Sequence, residues 1–160
     1  MIHISNILYP TDFSGLSLRA LEYAQWLALR LGARLHCLHV VDDSYQFWMA
    51  TDVSAMPVGP PIEEVLNDGA KRLGEFLQQH LEAGVECRQA VRRGQAATEI
   101  INYAQQEKID LVVLGTHGRS AVGQALLGSV AKKVVRKSPC PVLTVRSGHP
   151  AADPPAATAP

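Results

Sequence analysis

Residues 110–135 read DLVVLGTHGRSAVGQALLGSVAKKVV. The stretch opens on a continuous apolar run, Leu111–Leu114, the mark of a central strand covered on both faces. It closes in a basic pattern of helical period. Between the two stand Gly115, Gly118, Gly123 and Gly128. Glycine costs conformational entropy unless the backbone must be bare, so a cluster of them between a buried strand and a helix asks for a reason. In open α/β sheets ligands bind beyond the carboxyl ends of the strands, which is where this cluster sits.

The same alternation runs outward through the chain. HISNILYP gives a first strand ending near Tyr9. A helix over Ser17–Leu31 follows, with Ala20, Leu21, Ala24, Leu27, Ala28 and Leu31 at helical spacing and Gly32 closing it. RLHCLHVV (Arg34–Val41) is the second strand. The next twenty residues, 42–61, lack a clean period and contain Pro57, Pro60 and Pro61. They read as a long loop of the kind used as a lid or partner contact. Helical spacing resumes at Glu63 with Leu66, Ala70, Leu73, Leu77 and Leu81, and Gly84 is expected to end it. VECRQAVRRG is the third strand and Ala96–Glu107 the third helix, with Ile100, Ile101 and Ala104 inward. A fourth helix spans about Val130–Lys137, with Ser129 as its cap, and CPVLTVR is the last strand. Five strands alternating with helices predict a parallel sheet with helices on both faces and right-handed crossovers. The Ala- and Pro-rich tail, residues 147–160, has no core-forming pattern and is expected to be disordered. The domain is then residues 1–146.

Composition narrows the function. The chain has 160 residues, 47 % of them apolar, enough for the core of one domain. Lys plus Arg and Asp plus Glu are 15 each, so diffuse charge gives no argument for a nucleic acid or acidic membrane partner. No apolar run approaches the ~20 residues of a membrane span, and the N-terminus does not read as a secretory signal. Cys37, Cys87 and Cys140 are widely spaced and odd in number, which suits core thiols in a reducing compartment rather than a disulfide or zinc framework.

Two strand ends carry chemistry: YPTDFS after the first strand and the glycine cluster after the fourth. Gly115 and Gly118 bracket Thr116 and His117, and bare backbone there lets successive N–H groups converge on an anion. Gly128 and Ser129 open the fourth helix, whose N-terminus favours phosphate through free N–H groups and the dipole. A glycine-rich turn with an ordinary cap would look the same. No Walker-type G-x-x-x-x-G-K-[ST] occurs, and no G-x-G-x-x-G follows the first strand. His36 and His39 are three apart on a strand and point to opposite faces, so they are not a shared metal site. His117 has no visible orienting partner for a general base.

Glycine, two residues, glycine, nine residues, glycine-serine resembles the nucleotide loop of the universal stress protein family, in its ATP-binding branch. ILYPTDFS, LHVVD and SPCPVLTVR match that family's other markers in order and spacing, from about Ile4 to Arg146. The resemblance implies a doubly wound five-stranded sheet of order 3-2-1-4-5, with the ends of strands one and four as neighbours. It implies roles by matched position. Pro10 and Thr11 would be walls, and Asp12 would face the adenosine part of ATP, although Asp12 and Ser14 also suit a helix cap. Val40 would meet adenine through its backbone. Gly115, Thr116, His117, Gly118 and Arg119 would wrap phosphate or ribose, Arg119 neutralising charge unless it is merely a solvated surface side chain. Gly128, Ser129, Val130 and Ala131 would present the helix start. Magnesium would ride on the phosphates. The last strand, Pro141–Arg146, would be an edge that pairs with its twin in a homodimer. The implied function is a cytoplasmic ATP-binding stress protein acting as a sensor or adaptor. A slow ATPase and a nucleotide-independent dimeric interaction module are the alternatives.

Overall fold

The computed structural model describes residues 2–42, 61–116 and 127–146. Among them the chain forms strands β1 (Asn6–Thr11), β2 (Arg34–Val41), β3 (Cys87–Arg93), β4 (Leu111–Gly115) and β5 (Val142–Val145). It also forms helices α1 (Gly15–Leu31), α2 (Ile62–His80), α3 (Ala96–Gln106) and α4 (Ser129–Lys137). The five strands make one sheet of order β3-β2-β1-β4-β5, parallel at every pairing. The doubly wound α/β sheet expected from the sequence is therefore present, in the order that the resemblance implied.

Side-chain alternation sorts the core into two layers. Ile7, Tyr9, Leu35, Cys37 and Val113 face α1 and α2, where Leu21, Ala24, Leu73 and Leu77 complete one buried cluster. Leu8, Leu38, Val112 and Leu114 face the other way, against Ile100, Tyr103, Ala104, Ala131 and Val134 of α3 and α4. Central strands apolar on both faces are what a sheet covered on both sides requires.

Polar contacts set the joints. The Asp110 carboxylate accepts from the backbone N–H groups of Ser5 at 2.8 Å and Asn6 at 2.9 Å, and its own N–H donates to the Asn6 carbonyl at 2.9 Å. The start of β4 is thereby tied to the start of β1. The α1 helix begins with the Ser14 hydroxyl accepting from the Ser17 N–H at 3.2 Å and ends at Gly32, whose φ of 62° is left-handed. Glycine takes that conformation without the penalty of a Cβ.

Two helix limits differ from expectation. The α2 helix stops at His80, with Leu81 already extended, and does not run on to Gly84. The reason is Gln25 of α1. Its amide donates to the Glu82 side chain at 3.1 Å and accepts from the Glu82 N–H at 3.1 Å, drawing the chain off the helix axis. Gly84, at φ 87°, serves the turn that follows. At α4 the cap position belongs to Gly128, whose carbonyl accepts from the Lys132 N–H at 2.9 Å. Ser129 is the first helical residue, not the cap.

The proline-containing loop expected over 42–61 falls, from residue 43 to 60, outside the described residues. The tail expected to be disordered, 147–160, lies outside them too.

Candidate functional site

Strand order reverses at β1, which lies between β2 and β4. Chains leaving β1 and β4 there diverge to opposite faces of the sheet, and a crevice opens between them. A cleft of about 230 Å³ occupies that place. Its walls come from the end of β1 (Pro10, Thr11, Asp12), the end of β4 (Leu114, Gly115, Thr116), and the start of α4 (Gly128, Ser129, Val130, Ala131). Leu38 and Val40 of β2, Ala96 and Ile100 of α3, and Ser17 of α1 complete it.

Ten residues expected from the sequence thus surround one cavity: Pro10, Thr11, Asp12, Val40, Gly115, Thr116, Gly128, Ser129, Val130 and Ala131. His117, Gly118 and Arg119 lie outside the described residues. Sequence reading missed Ser17, Leu38, Ala96, Ile100 and Leu114. Two of these had a signal. Leu38 stands two residues before Val40, hence on the same face of the strand, and the helical spacing of Ile100 turns it inward.

A 2.7 Å hydrogen bond from the Gly128 N–H to the Thr116 carbonyl joins the two halves of the glycine cluster. The Thr116 N–H donates in turn to the Val145 carbonyl at 2.9 Å, so the far end of β4 is locked to β5. The strand end and the helix start therefore border one another. No side chain caps α4, because Gly128 has none to offer. The first-turn N–H groups of a helix have no intrahelical partner, and here they open beside the cleft.

Gly115 also stands where a side chain would not fit. A Cβ built there would lie 3.1 Å from the Leu16 Cγ and 3.2 Å from the Leu16 carbonyl oxygen. The first turn of α1 lies that close to the end of β4. Packing alone is sufficient reason for a glycine at 115.

The turn after β1 is held from several sides. Phe13 has φ 64°, a left-handed conformation that costs a non-glycine residue on the order of 1 kcal/mol. The Thr11 hydroxyl accepts from the Phe13 N–H at 3.0 Å, and the Asp12 carboxylate accepts from the Ser14 N–H at 3.0 Å. The Phe13 ring packs 4.4 Å from the His39 ring and 5.4 Å from Phe76, centroid to centroid. The Arg72 guanidinium lies 5.2 Å from the same ring. Asp12 therefore does hold the turn before α1, and it borders the cleft as well.

Behind the turn runs a buried hydroxyl chain. Tyr9 donates to the Ser17 carbonyl at 2.9 Å, its oxygen lies 2.8 Å from the Ser17 hydroxyl, and Ser17 donates to the Thr11 hydroxyl at 2.7 Å. Burial drives the Tyr9 phenol far above its ordinary value, so Tyr9 is a neutral, structural donor.

His36 and His39 face opposite sides, as expected. The His36 Nδ1 is 3.0 Å from the Tyr103 hydroxyl under α3, whereas His39 Nδ1 is 2.9 Å from the Thr11 carbonyl on the α2 side. Among the described residues no group of three or more His, Cys, Asp or Glu side chains is placed to hold a metal ion.

A parallel sheet with its cleft at the reversal point defines a class of doubly wound α/β domains. Within that class the chain belongs to the universal stress protein family, whose model matches residues 3–146. It is similar to universal stress protein YxiE of Bacillus subtilis, 33 % identical over 146 residues, covering 89 % of this chain and 99 % of that one. Among solved structures it is similar to universal stress protein UspA from Lactobacillus plantarum. There the TM-score is 0.71 at 28 % identity, over 91 % of this chain and all of that one. A universal stress protein solved in complex with cAMP is similar at TM-score 0.58 and 26 % identity, over 90 % of this chain and 98 % of that one.

Proposed function

We propose that this protein is an adenine-nucleotide-binding stress-response protein of the cytoplasm, with ATP as ligand, and that it acts as a homodimeric sensor or adaptor. The observation that carries the reading is the uncapped start of α4, joined through Gly128 to Thr116 at a cleft also lined by the apolar Leu38, Val40 and Ile100. A nucleotide has that polarity: a polyanion at one end, a flat, weakly polar base at the other. The N–H groups of Ser129, Val130 and Ala131, with the Thr116–Arg119 segment, would take the phosphates. Leu38, Val40 and Ile100 would flank the base, and Asp12 would accept from the ribose hydroxyls. The relative solved with cAMP supports an adenine ligand. Magnesium, when present, would remain on the phosphates with most of its waters. Hydrolysis would be slow at most, since the described part of the cleft contains a single ionisable wall residue, Asp12.

The test combines nucleotide identification with one variant. Protein purified rapidly and then denatured is expected to release an adenine nucleotide, and calorimetry on the stripped protein to show ATP binding. Gly128 has φ −56° and ψ 157°, a conformation open to an N-cap aspartate. Gly128→Asp would satisfy the helix itself and place a negative charge against the phosphates. Thermal stability should stay level or rise slightly while affinity falls ~10-fold or more. Unchanged ATP affinity in this variant would remove the phosphate assignment.

The fit of Gly115 against Leu16 favours a second reading, a dimeric interaction module in which the glycine serves packing only. Native mass spectrometry separates the two: a dimer that carries no nucleotide and gains no mass with added ATP supports the module.

A further inference from the structure

We propose that Cys37 and Cys87 are the two halves of a reversible intramolecular disulfide, making the β2–β3 pair an oxidation-responsive modification site. Fifty residues separate them in sequence, yet their sulfurs lie 3.3 Å apart, and both are free thiols. The two thiols are in hydrogen-bond contact, and bonding requires an approach of little more than ~1 Å, to the ~2.05 Å of a disulfide. Cys140, the third thiol, packs in the cluster on the other side of the sheet, beside Ser138. It is a built-in control.

The two thiols are unequal in a way that assigns roles. Cys37 is fully buried in the layer between the sheet and the α1–α2 face. Cys87 is half-buried and is the first residue of β3, an edge strand, so an oxidant reaches it first. The hydrogen bond between them holds the Cys87 thiol below its ordinary value, while that bond and burial push Cys37 up. Cys87 is therefore the attacking thiolate and Cys37 the resolving thiol.

With hydrogen peroxide as oxidant the steps balance. The Cys87 thiolate attacks the peroxide; an S–O bond forms, the O–O bond breaks, and the leaving hydroxide takes up a proton to become water. Cys87 is now a sulfenic acid. The Cys37 sulfur attacks the Cys87 sulfur; the S–S bond forms, the S–O bond breaks, and hydroxide leaves with the Cys37 proton as a second water. Two electrons pass from the thiol pair to the peroxide. A small thiol reverses the bond by exchange.

Register explains why such a bridge is reversible. Cys87 stands level with Leu35, whereas Cys37 stands level with Gln89. Diagonal neighbours stand farther apart than directly opposite ones, towards the upper end of the Cα separations that disulfides span. The first residue of β3 must shift towards Cys37, and an edge position allows this because β3 has a strand neighbour on one side only. Bridges made under such strain are the readily reduced, regulatory kind.

The experiment uses the full chain, reduced and then exposed to stoichiometric hydrogen peroxide. Intact mass should fall by about 2 Da, the two hydrogens of the thiol pair, and digestion should yield one cross-linked peptide joining Cys37 to Cys87. Dithiothreitol should restore the starting mass. Cys140→Ser should behave like the parent, and Cys87→Ser should lose the cross-link and leave Cys37 unoxidised. Thiols untouched by peroxide, a sulfinic acid at Cys87 without the cross-link, or a bridge through Cys140 would each overturn the proposal. The parent protein alone decides among these outcomes, should a variant fail to fold.

Discussion

Among the described glycines, Gly115 has little room for a side chain. A methyl group there meets backbone as well as a side chain, and the Leu16 carbonyl has no rotamer by which to step aside. Gly115→Ala should therefore force α1 away from β4 and destabilise the fold by roughly 1–3 kcal/mol. Chemical denaturation would read this as a lower midpoint with an unchanged slope; a neutral result would mean that the α1 turn is not held against β4. His36 gives a second prediction at this scale. Burial, then the charge of Arg88, holds its imidazole below the ordinary value in the folded state. Its ring nitrogens meet the Tyr103 hydroxyl and the Asn6 side chain, with Arg88, Arg34 and Glu107 as the surrounding charges. The unfolded chain then binds the proton more readily than the folded one, so stability falls as pH drops below ~6.5. His36→Gln should flatten that acid limb, measured by melting temperature between pH 7 and pH 5. A limb of unchanged slope would assign the effect to other groups.

Among the elements, the start of β4 is tied to β1 by one carboxylate. Asp110 accepts two N–H groups from the chain entering β1, and charge-assisted bonds of this kind exceed neutral ones. Asp110→Ala would leave both donors without that partner and should cost about 1–3 kcal/mol. Hydrogen exchange at Ser5 and Asn6 would show the loss locally, and protection equal to the parent's would rule the tie out. Strands and helix faces were legible in the sequence because burial on two faces writes itself as apolar runs and as 3.6-residue spacing. What depends on contact between distant segments was not. The α2 helix passed for one ending at Gly84 because nothing local reveals that Gln25 reaches Glu82. Ser129 passed for a cap because serine usually is one; the position went instead to the neighbour whose carbonyl receives the first helical bond. The meeting of Cys37 and Cys87 was not legible either, since it depends on the register of two strands separated by a helix.

For the molecule as a whole, the order 3-2-1-4-5 places β5 at an edge. Its Leu143 remains 37 % exposed although Val145, two residues on and on the same face, is buried, so an apolar side chain is presented to the outside near the start of this short strand. Under the dimer reading, Leu143→Glu should give a monomer by native mass spectrometry where the parent is a dimer, because a charge on an edge opposes pairing. A parent that is itself monomeric would end that reading. The cleft was legible at this scale for a topological reason. Once strand order is known, the ends of β1 and β4 must adjoin, and motifs found there are drawn together whatever their distance in sequence. Its apolar wall was less legible, because Leu38, Ile100 and Leu114 look like any other core residue until the crevice beside them is seen.

The bond from Gly128 to Thr116 pins both anchor points of the intervening decapeptide and more, residues 117–127, to the scaffold. Enlarging a segment whose termini are already fixed is thermodynamically cheap, about 0.6 kcal/mol for each doubling of length. Insertions between these two anchors should therefore leave the sheet beneath folding as before.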